Sequence, residues 1–388
     1  MLHFSAPPPL ALYIHLPWCV HKCPYCDFNS HPLRRELPAD DYVAALLRDL
    51  ELEAPAAHRR PVESIFFGGG TPSLFPPDAV ARLLKGVAQR IPLAEDAEIT
   101  LEANPGTVEQ AKFEGYRNAG VNRLSIGIQS FHPERLRALG RIHGRDEALA
   151  AADAARRAGF DNFNLDLMFG LPAQDLAGAL ADVDQAIALR PTHISHYQLT
   201  LEPNTVFYAR PPVLPADDDI YEMQLTCQAR LAEAGYQQYE VSAYAQADRR
   251  CRHNLNYWQF GDYIGIGAGA HGKLTDVATG TIWRNSKRKN PRDYLQHAGK
   301  PTQVASETRL AKADILLEFL MNALRLSEGF EKSLCTVRTG LPWSTFEATL
   351  AELVAEGLLE ENAERVKTTP KGALFLDEIL QRFLPDED

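Results

Sequence analysis

Basic residues are scarce in this 388-residue chain, which has 40 lysines and arginines against 51 acidic residues and a net charge of −11. A surface that binds nucleic acid is normally basic, so this deficit argues against that class of function. No uninterrupted apolar run approaches about 18 residues, and the N-terminus lacks the basic region of a secretory signal. No G-x4-G-K-[ST] sequence occurs, which excludes an ATP-binding P-loop. The sequence therefore predicts a cytoplasmic protein without a transmembrane segment.

Cysteine is scarce as well, with six residues in the whole chain. Without an export signal, so few cysteines indicate a reducing compartment and not a disulfide framework. Cys227 and Cys335 lie in segments where a thiol is expected to pack. Cys19, Cys23 and Cys26 instead share one short stretch with the spacing C-x3-C-x2-C. Soft metals prefer thiolate ligands, so this triplet predicts a metal centre.

The triplet allows more than one kind of centre. A fourth ligand such as His15 or His21 would complete a tetrahedral zinc site. Alternatively, three cysteines hold three irons of a [4Fe-4S] cluster and leave the fourth iron open to a small molecule. A set of packed free thiols is the third interpretation.

Strands and helices alternate from residue 10 to about residue 245. The strands are expected at residues 10–16, 62–67, 98–102, 123–128, 162–169, 193–201 and 239–244. Strands separated by helices are typical of parallel crossovers, as in a (β/α) barrel or a doubly wound sheet. Unusual polar residues and glycines follow several strand ends, and a barrel would bring all of them to one mouth. We therefore predict an α/β fold with a partial (β/α) barrel over residues 1–245.

The alternation stops after residue 245. Residues 246–300 are rich in glycine and aromatic residues, and residues 287–291 have the composition of a linker. Residues 301–388 are expected to form a small winged-helix-like α+β domain that begins with a long helix at 306–324. Residues 341–388 hold 11 acidic and 4 basic residues. Because this balance repels phosphate groups, a structural or partner-binding role is favoured over DNA binding.

Two kinds of polar motif lie at the predicted strand ends. Gly68-Gly69-Gly70-Thr71-Pro72 would let the backbone approach an amine or carboxylate closely, although a tight turn explains the glycines equally well. The other kind consists of single polar residues, which together predict a polar pocket. These residues are Glu102, Gln129, Arg141 and Asp166. Asp166 interrupts an apolar strand, so it needs a polar partner when buried.

The cysteine triplet with an aromatic residue before its last member resembles the signature of radical S-adenosylmethionine (SAM) proteins. The order of the further motifs is similar to that in the oxygen-independent coproporphyrinogen III oxidase-like group of that superfamily. The resemblance implies a [4Fe-4S] cluster on Cys19, Cys23 and Cys26, with SAM on the open iron. It also implies a set of SAM-contacting residues, some of which face a second SAM molecule in the oxidase: Tyr13, Tyr25, Gly69, Gly70, Thr71, Glu102, Gln129, Arg141, Asp166 and Thr200.

Three features depart from the oxidase and resemble the HemW branch of the group. Phe28 stands where the oxidase has a further cysteine, only 12 residues precede Tyr13, and His253-Asn254-Leu-Asn256-Tyr257-Trp258 has the pattern H-N-x-x-Y-W. This branch implies a haem chaperone that passes haem to apo-haemoproteins, including membrane-bound respiratory enzymes, without the oxidase reaction. His253 is then a candidate haem ligand, with Cys251 as a second candidate. The alternative is that His253 packs between the barrel and the C-terminal domain.

Overall fold

The computed structural model describes residues 2–384. Six strands run parallel, each followed by a helix that returns the chain to the same end of the sheet. They are β1 (Leu10–Leu16), β2 (Val62–Gly69), β3 (Leu93–Ala103), β4 (Arg123–Gln129), β5 (Phe163–Phe169) and β6 (His193–Gln198). The principal returning helices are Ala39–Glu53, Pro77–Ala88, Phe113–Ala119, Arg145–Arg157, Leu176–Ala188 and Asp217–Glu233. The predicted α/β fold with a partial barrel is confirmed.

The sheet continues beyond the six strands at both edges. β7 (Gln237–Glu240) and β8 (Ala243–Ala245) form an antiparallel hairpin, and β8 pairs antiparallel with β6. On the other side β9 (Asp262–Ile266) pairs parallel with β1. It is followed by three antiparallel strands: β10 (His271–Asp276), β11 (Thr281–Lys287) and β12 (Val304–Arg309). One sheet of twelve strands thus crosses the predicted domain limits at 245 and 300.

Three predictions of local structure are wrong. The strand expected at residues 239–244 is the hairpin of β7 and β8, because the chain reverses at Val241 and Ser242. The long helix expected at 306–324 is strand β12 followed by the helix Lys312–Ala323. The linker expected at 287–291 begins with Lys287, a fully buried end of β11 that pairs with Asp49.

The C-terminal part has the winged-helix-like order that was predicted. Its remaining helices are Lys332–Thr339, Ser344–Ala355, Pro370–Leu374 and Leu376–Gln381, and its small antiparallel sheet holds β13 (Phe330–Glu331), β14 (Leu359–Glu361) and β15 (Arg365–Thr368). A separate apolar core fills this part, and Leu2, Phe260 and Ile282 also contribute to it. In the described residues, no helix combines the length and apolar character needed to cross a membrane.

Candidate functional site

A cavity of about 510 Å³ opens at the C-terminal ends of the parallel strands, where a barrel places its ligand site. It brings together most of the residues that the sequence singled out: Cys19, Cys23, Tyr25, Cys26, Gly69, Gly70, Thr71, Glu102, Gln129, Arg141 and Asp166. We call this space the cluster cavity. Phe28 lies on its rim with 59% of its surface exposed.

Three predicted site residues lie outside the lining of the cluster cavity. The Tyr13 hydroxyl lies 2.9 Å from Nδ1 of His15, and its ring stacks on Phe66. Thr200 is exposed just after β6. His253 is buried outside the cavity lining. Roles in SAM or haem binding stay predictions for these three residues.

The three cysteines are free thiols that line one cavity. Within residues 2–384, only Glu98, Cys251 and His253 form a trio of potential metal ligands whose atoms all lie within 4.8 Å of one another. The cysteine sulfurs are therefore spread more widely than the ligands of a single tetrahedral ion, which lie closer together at normal bond lengths. Such a spread suits a cluster in which each cysteine holds a different iron.

The two histidines considered as zinc ligands are placed differently. His15 is buried, and its ring nitrogens bond to the Tyr13 hydroxyl and, at 2.9 Å, to the backbone oxygen of Asn29. Burial lowers the pKa of His15 to about 4, so the ring is neutral, and both of its nitrogens already have partners. His21 is exposed and lines the cavity with the cysteines. The geometry thus removes His15 as a fourth ligand.

The glycine loop, Gly68–Pro72, lies tightly against the cluster loop, which follows β1 and carries Cys19, Cys23 and Cys26. The Gly70 amide donates to Leu16 O at 2.8 Å, and the Thr71 amide donates to Trp18 O at 2.7 Å. A Cβ atom on Gly70 would lie 2.5 Å from Trp18 O, closer than real side chains come. Gly69 has φ +116°, a conformation that favours glycine. The glycines therefore form a cradle in which the backbone itself faces the cavity.

Arg141 connects several parts of the cavity wall. It donates to Asn104 Oδ1 at 2.6 Å and to Gly127 O at 2.7 Å, and its other Nη lies 3.9 Å from Cys23 Sγ. Asn104 in turn donates to Thr71 Oγ1 at 3.4 Å. These hydrogen bonds fix the guanidinium of Arg141 beside the cluster loop, where it is suited to bind the carboxylate of a ligand.

Two acidic residues lie deeper in the cavity. Desolvation, with Asp166 as a second cause, raises the pKa of Glu102 to about 8. Burial also raises the pKa of Asp166, although Asn164 donates to its carboxylate at 2.7 Å and Ser125 at 3.3 Å. The partner that Asp166 needs is thus supplied by neighbouring strands. Glu102 is protonated at neutral pH and can donate as well as accept a hydrogen bond.

Gln129 ends β4 with φ +70°, which is unusual for a residue other than glycine. Its Oε1 accepts a 2.8 Å hydrogen bond from the Tyr197 hydroxyl. Tyr197 and Ser195, on alternate positions of β6, both line the cavity. Ser195 and Tyr197 were not predicted from the sequence, because β6, with the sequence HISHYQ, has no clear alternation of polar and apolar residues that would mark an inward polar face.

The H-N-x-x-Y-W sequence forms a short helix, Arg252–Trp258, which we call the motif helix. Its N-terminal amides, from Arg252 and His253, donate to the Glu98 carboxylate at 3.1 and 3.2 Å. His253 is 6% exposed, lies against Phe66 at 4.0 Å between ring centroids, and places Nδ1 2.9 Å from Cys251 Sγ. His253 therefore packs inside the barrel, whereas the packing interpretation placed it between the barrel and the C-terminal domain.

Burial opposes ionisation of Glu98, but the pKa of Glu98 still lies well below its usual range because His253, Arg123 and the Arg252 amide stabilise the carboxylate. The buried Arg123 balances this charge. The opposite face of the motif helix supplies Asn254 and Trp258 to the cluster cavity. The motif therefore anchors one wall of the cavity.

Comparison with known families agrees with this geometry. Residues 13–183 match the Radical SAM superfamily, and residues 310–375 match the HemN C-terminal domain. In structure, the chain is similar to coproporphyrinogen III oxidase (HemN) from Escherichia coli, with a TM-score of 0.81 and 25% identity over 97% of this chain and 90% of that one.

Relatives of similar length cover nearly the whole sequence. The chain is 52% identical to the heme chaperone HemW of Escherichia coli K12, over 98% of this chain and 99% of that protein. It is 36% identical to the mouse mitochondrial radical S-adenosyl methionine domain-containing protein 1, over 98% of this chain and 88% of that protein. It is 32% identical to HemW of Bacillus subtilis. The chain therefore belongs to the HemW family of the radical SAM superfamily.

Proposed function

We propose that the protein is a haem chaperone that binds haem and delivers it to apo-haemoproteins, with a [4Fe-4S] cluster and SAM in the cluster cavity. The similarity to heme chaperone HemW proteins along nearly the full length of both chains carries this proposal. The H-N-x-x-Y-W helix and Phe28 in place of a fourth cysteine support it further.

The residues of the cavity fit the two cofactors. Cys19, Cys23 and Cys26 would hold the cluster, which supplies an open iron and, when reduced, an electron for cleaving SAM. The Gly69–Gly70 backbone and Arg141 would hold the amine and carboxylate ends of SAM. Five further residues of the cavity complete the proposed SAM site: Tyr25, Thr71, Glu102, Gln129 and Asp166. Tyr13 and Thr200, which lie outside the cavity lining, remain part of the proposal.

The second candidate function is a radical SAM reaction on a porphyrinogen. The likeness to HemN along 97% of this chain is the observation that favours it. Glu102, Asp166 and Tyr197 would serve either function, since binding SAM requires the same polar cavity. The two functions differ in whether a porphyrinogen propionate loses carbon dioxide.

Two experiments test the proposal. Anaerobically reconstituted protein should contain about four irons per chain, and Cys19→Ala should lose the intact cluster while Cys335→Ala, a buried thiol of the C-terminal part, keeps it. A full cluster in Cys19→Ala, or zinc as the metal, would refute the cluster assignment. Incubation with coproporphyrinogen III, SAM and a reductant should give no decarboxylated product, whereas such a product would favour the oxidase function.

A further inference from the structure

A second groove, of about 620 Å³, lies beside the cluster loop and shares none of its lining residues with the cluster cavity. Its apolar surface comes from Trp18, Leu33, Leu295 and three prolines, Pro32, Pro38 and Pro291. Its polar surface comes mainly from His31 and three arginines. We call it the arginine groove.

The charge of this groove is opposite to that of the whole chain. Arg34, Arg35 and Arg292 are exposed, and none of them has a carboxylate within 4.0 Å among residues 2–384. One acidic residue, Glu36, also lines the groove. In a chain with a net charge of −11, three arginines without ion pairs around an apolar floor suit a flat apolar ligand with carboxylates.

Within residues 2–384, the side-chain hydrogen bond of His31 uses Nε2 and leaves Nδ1 able to bind a metal. Asn29 Nδ2 donates to Ala268 O at 2.8 Å and to Lys289 O at 2.9 Å, which fixes the orientation of the Asn29 amide. Its Oδ1 therefore faces His31 Nε2, at 3.3 Å, and accepts the Nε2 proton. Nδ1 then keeps its lone pair, in the arrangement in which metal-binding histidines are commonly held by a partner on the other nitrogen. Desolvation lowers the pKa of His31, although the backbone of Lys289 acts in the opposite direction.

Three other histidines are less suited to binding haem. His253 is buried and bonded inside the barrel. His58 is exposed in another groove beside Trp283, but Glu53, Asp276 and Glu307 surround it and would repel propionates. His21 lies on the rim of the cluster cavity.

From this arrangement we infer that the arginine groove binds haem, with the iron on His31 and the propionates at Arg34, Arg35 and Arg292. This inference rests on the proposed haem-carrying function and assigns it a site. Iron–histidine ligation and arginine–carboxylate pairing are the contacts expected of such a site. Trp18 and Leu33 would cover one face of the macrocycle.

The groove is linked to the cluster loop through the backbone. His31 and Pro32 pair in parallel with Trp18 and Cys19. The His31 amide donates to Pro17 O at 2.7 Å, and the Leu33 amide donates to Cys19 O at 2.8 Å. A ligand in the groove would thus contact residues that position one of the cluster cysteines.

The test is an anaerobic haem titration of the full-length protein with its cluster reconstituted, followed by the Soret band. Wild type should bind haem at saturation. His31→Ala should lose the wild-type Soret position and recover a nitrogen-ligated spectrum with added imidazole. The double variant Arg34→Glu with Arg35→Glu should raise the Kd by about tenfold or more, because it replaces two charge-assisted contacts to the propionates by repulsion.

The control combines His58→Ala with Arg59→Glu, an exposed histidine and arginine away from the groove. This control should bind haem as wild type does. Before haem is added, all variants should have the same cluster iron content as wild type. If wild type binds haem and the His31 and arginine variants bind it identically, the site is wrong but the carrier function stands. If wild type binds no haem, both the site and the proposed function fail.

Discussion

Gly70 shows how closely the cluster loop and the glycine loop fit together. Because a Cβ at this position would lie 2.5 Å from Trp18 O, Gly70→Ala must displace backbone and not merely a flexible side chain. We expect it to lower the free energy of unfolding by about 1–3 kcal/mol, as overpacking does, and to weaken SAM binding. Gly144→Ala is the matched control, since its Cβ would have no neighbour within 4 Å. Denaturant unfolding and SAM titration would measure both effects, and equal behaviour of the two variants would refute this account of the loop.

The protonation of Glu102 makes stability depend on pH. Its pKa in the folded protein, about 8, lies above the ordinary glutamate pKa of 4.5, so the folded state binds the proton more tightly than the unfolded state. Its contribution to stability is therefore complete below the unfolded pKa and is lost as the pH rises through the folded pKa. Each unit of pKa difference corresponds to about 1.4 kcal/mol.

We therefore expect SAM-free wild type to lose more stability between pH 5 and pH 8 than Glu102→Gln, whose amide does not titrate. Denaturant unfolding at several pH values measures the difference between the two proteins. Parallel pH profiles would mean that Glu102 is ionised in the folded protein at neutral pH. The direction of this effect follows from the desolvation of Glu102 and its proximity to Asp166.

At the scale of the element, the motif helix joins the barrel interior to the cavity wall. His253→Ala would leave the Glu98 carboxylate buried with one hydrogen-bond partner fewer and open a cavity beside Phe66. We expect a loss of about 2–4 kcal/mol in unfolding free energy and weaker SAM binding, since Asn254 and Trp258 lie on the same helix.

Haem and SAM titrations of the same variant separate the two interpretations of His253. If His253 packs, haem binding should keep its wild-type Soret position after correction for the folded fraction. A changed Soret position with unchanged stability and SAM affinity would instead identify His253 as a haem ligand.

The strands were predictable where burial imposes a pattern. β1 is apolar at nearly every position and buried on both faces, so its bounds agree with the prediction. β12 has no buried residue, because it is an edge strand that pairs only with β11, and its sequence carried no alternation to detect. The hairpin of β7 and β8 was not predicted for a related reason, because its turn contains neither glycine nor proline.

Most of the candidate site was predictable because its residues follow strand ends in recognisable motifs. Glu98 and Arg123 were not predictable, because no feature of the neighbouring sequence marks them as partners of the motif helix. His31 and the arginine groove were missed because the groove depends on Leu295 and Arg292, which are distant in sequence. Such contacts depend on the tertiary fold.

At the scale of the whole molecule, the barrel and the C-terminal part share packing. Phe319 contacts Phe260, which follows the motif helix, and Phe330 and Phe346 of the C-terminal part. Arg325 lies over the Trp258 ring at 4.3 Å and pairs with Glu240 at 3.0 Å. The C-terminal part therefore supports the wall of the cluster cavity from outside.

Phe319→Ala should cost about 3–5 kcal/mol of unfolding free energy, as expected for a buried aromatic residue. Because the core is shared, we expect the fluorescence of the four tryptophans, which include Trp18 of the barrel and Trp343 of the C-terminal part, to change in one transition. Met321→Ala on the same helix is the control, since Met321 is 48% exposed and should cost little. Two separate transitions in the wild type would show that the parts unfold independently.

As a haem chaperone, this chain is proposed to carry haem and give it up to a recipient. The most direct measurement loads the reconstituted protein with haem, removes free haem, and mixes the complex anaerobically with a haem-depleted respiratory apo-enzyme while the Soret bands of donor and recipient are followed. We expect haem to leave the chain and appear in the recipient, and recipient activity to rise in proportion. Haem that stays on the chain while the recipient remains inactive would refute the proposed haem transfer.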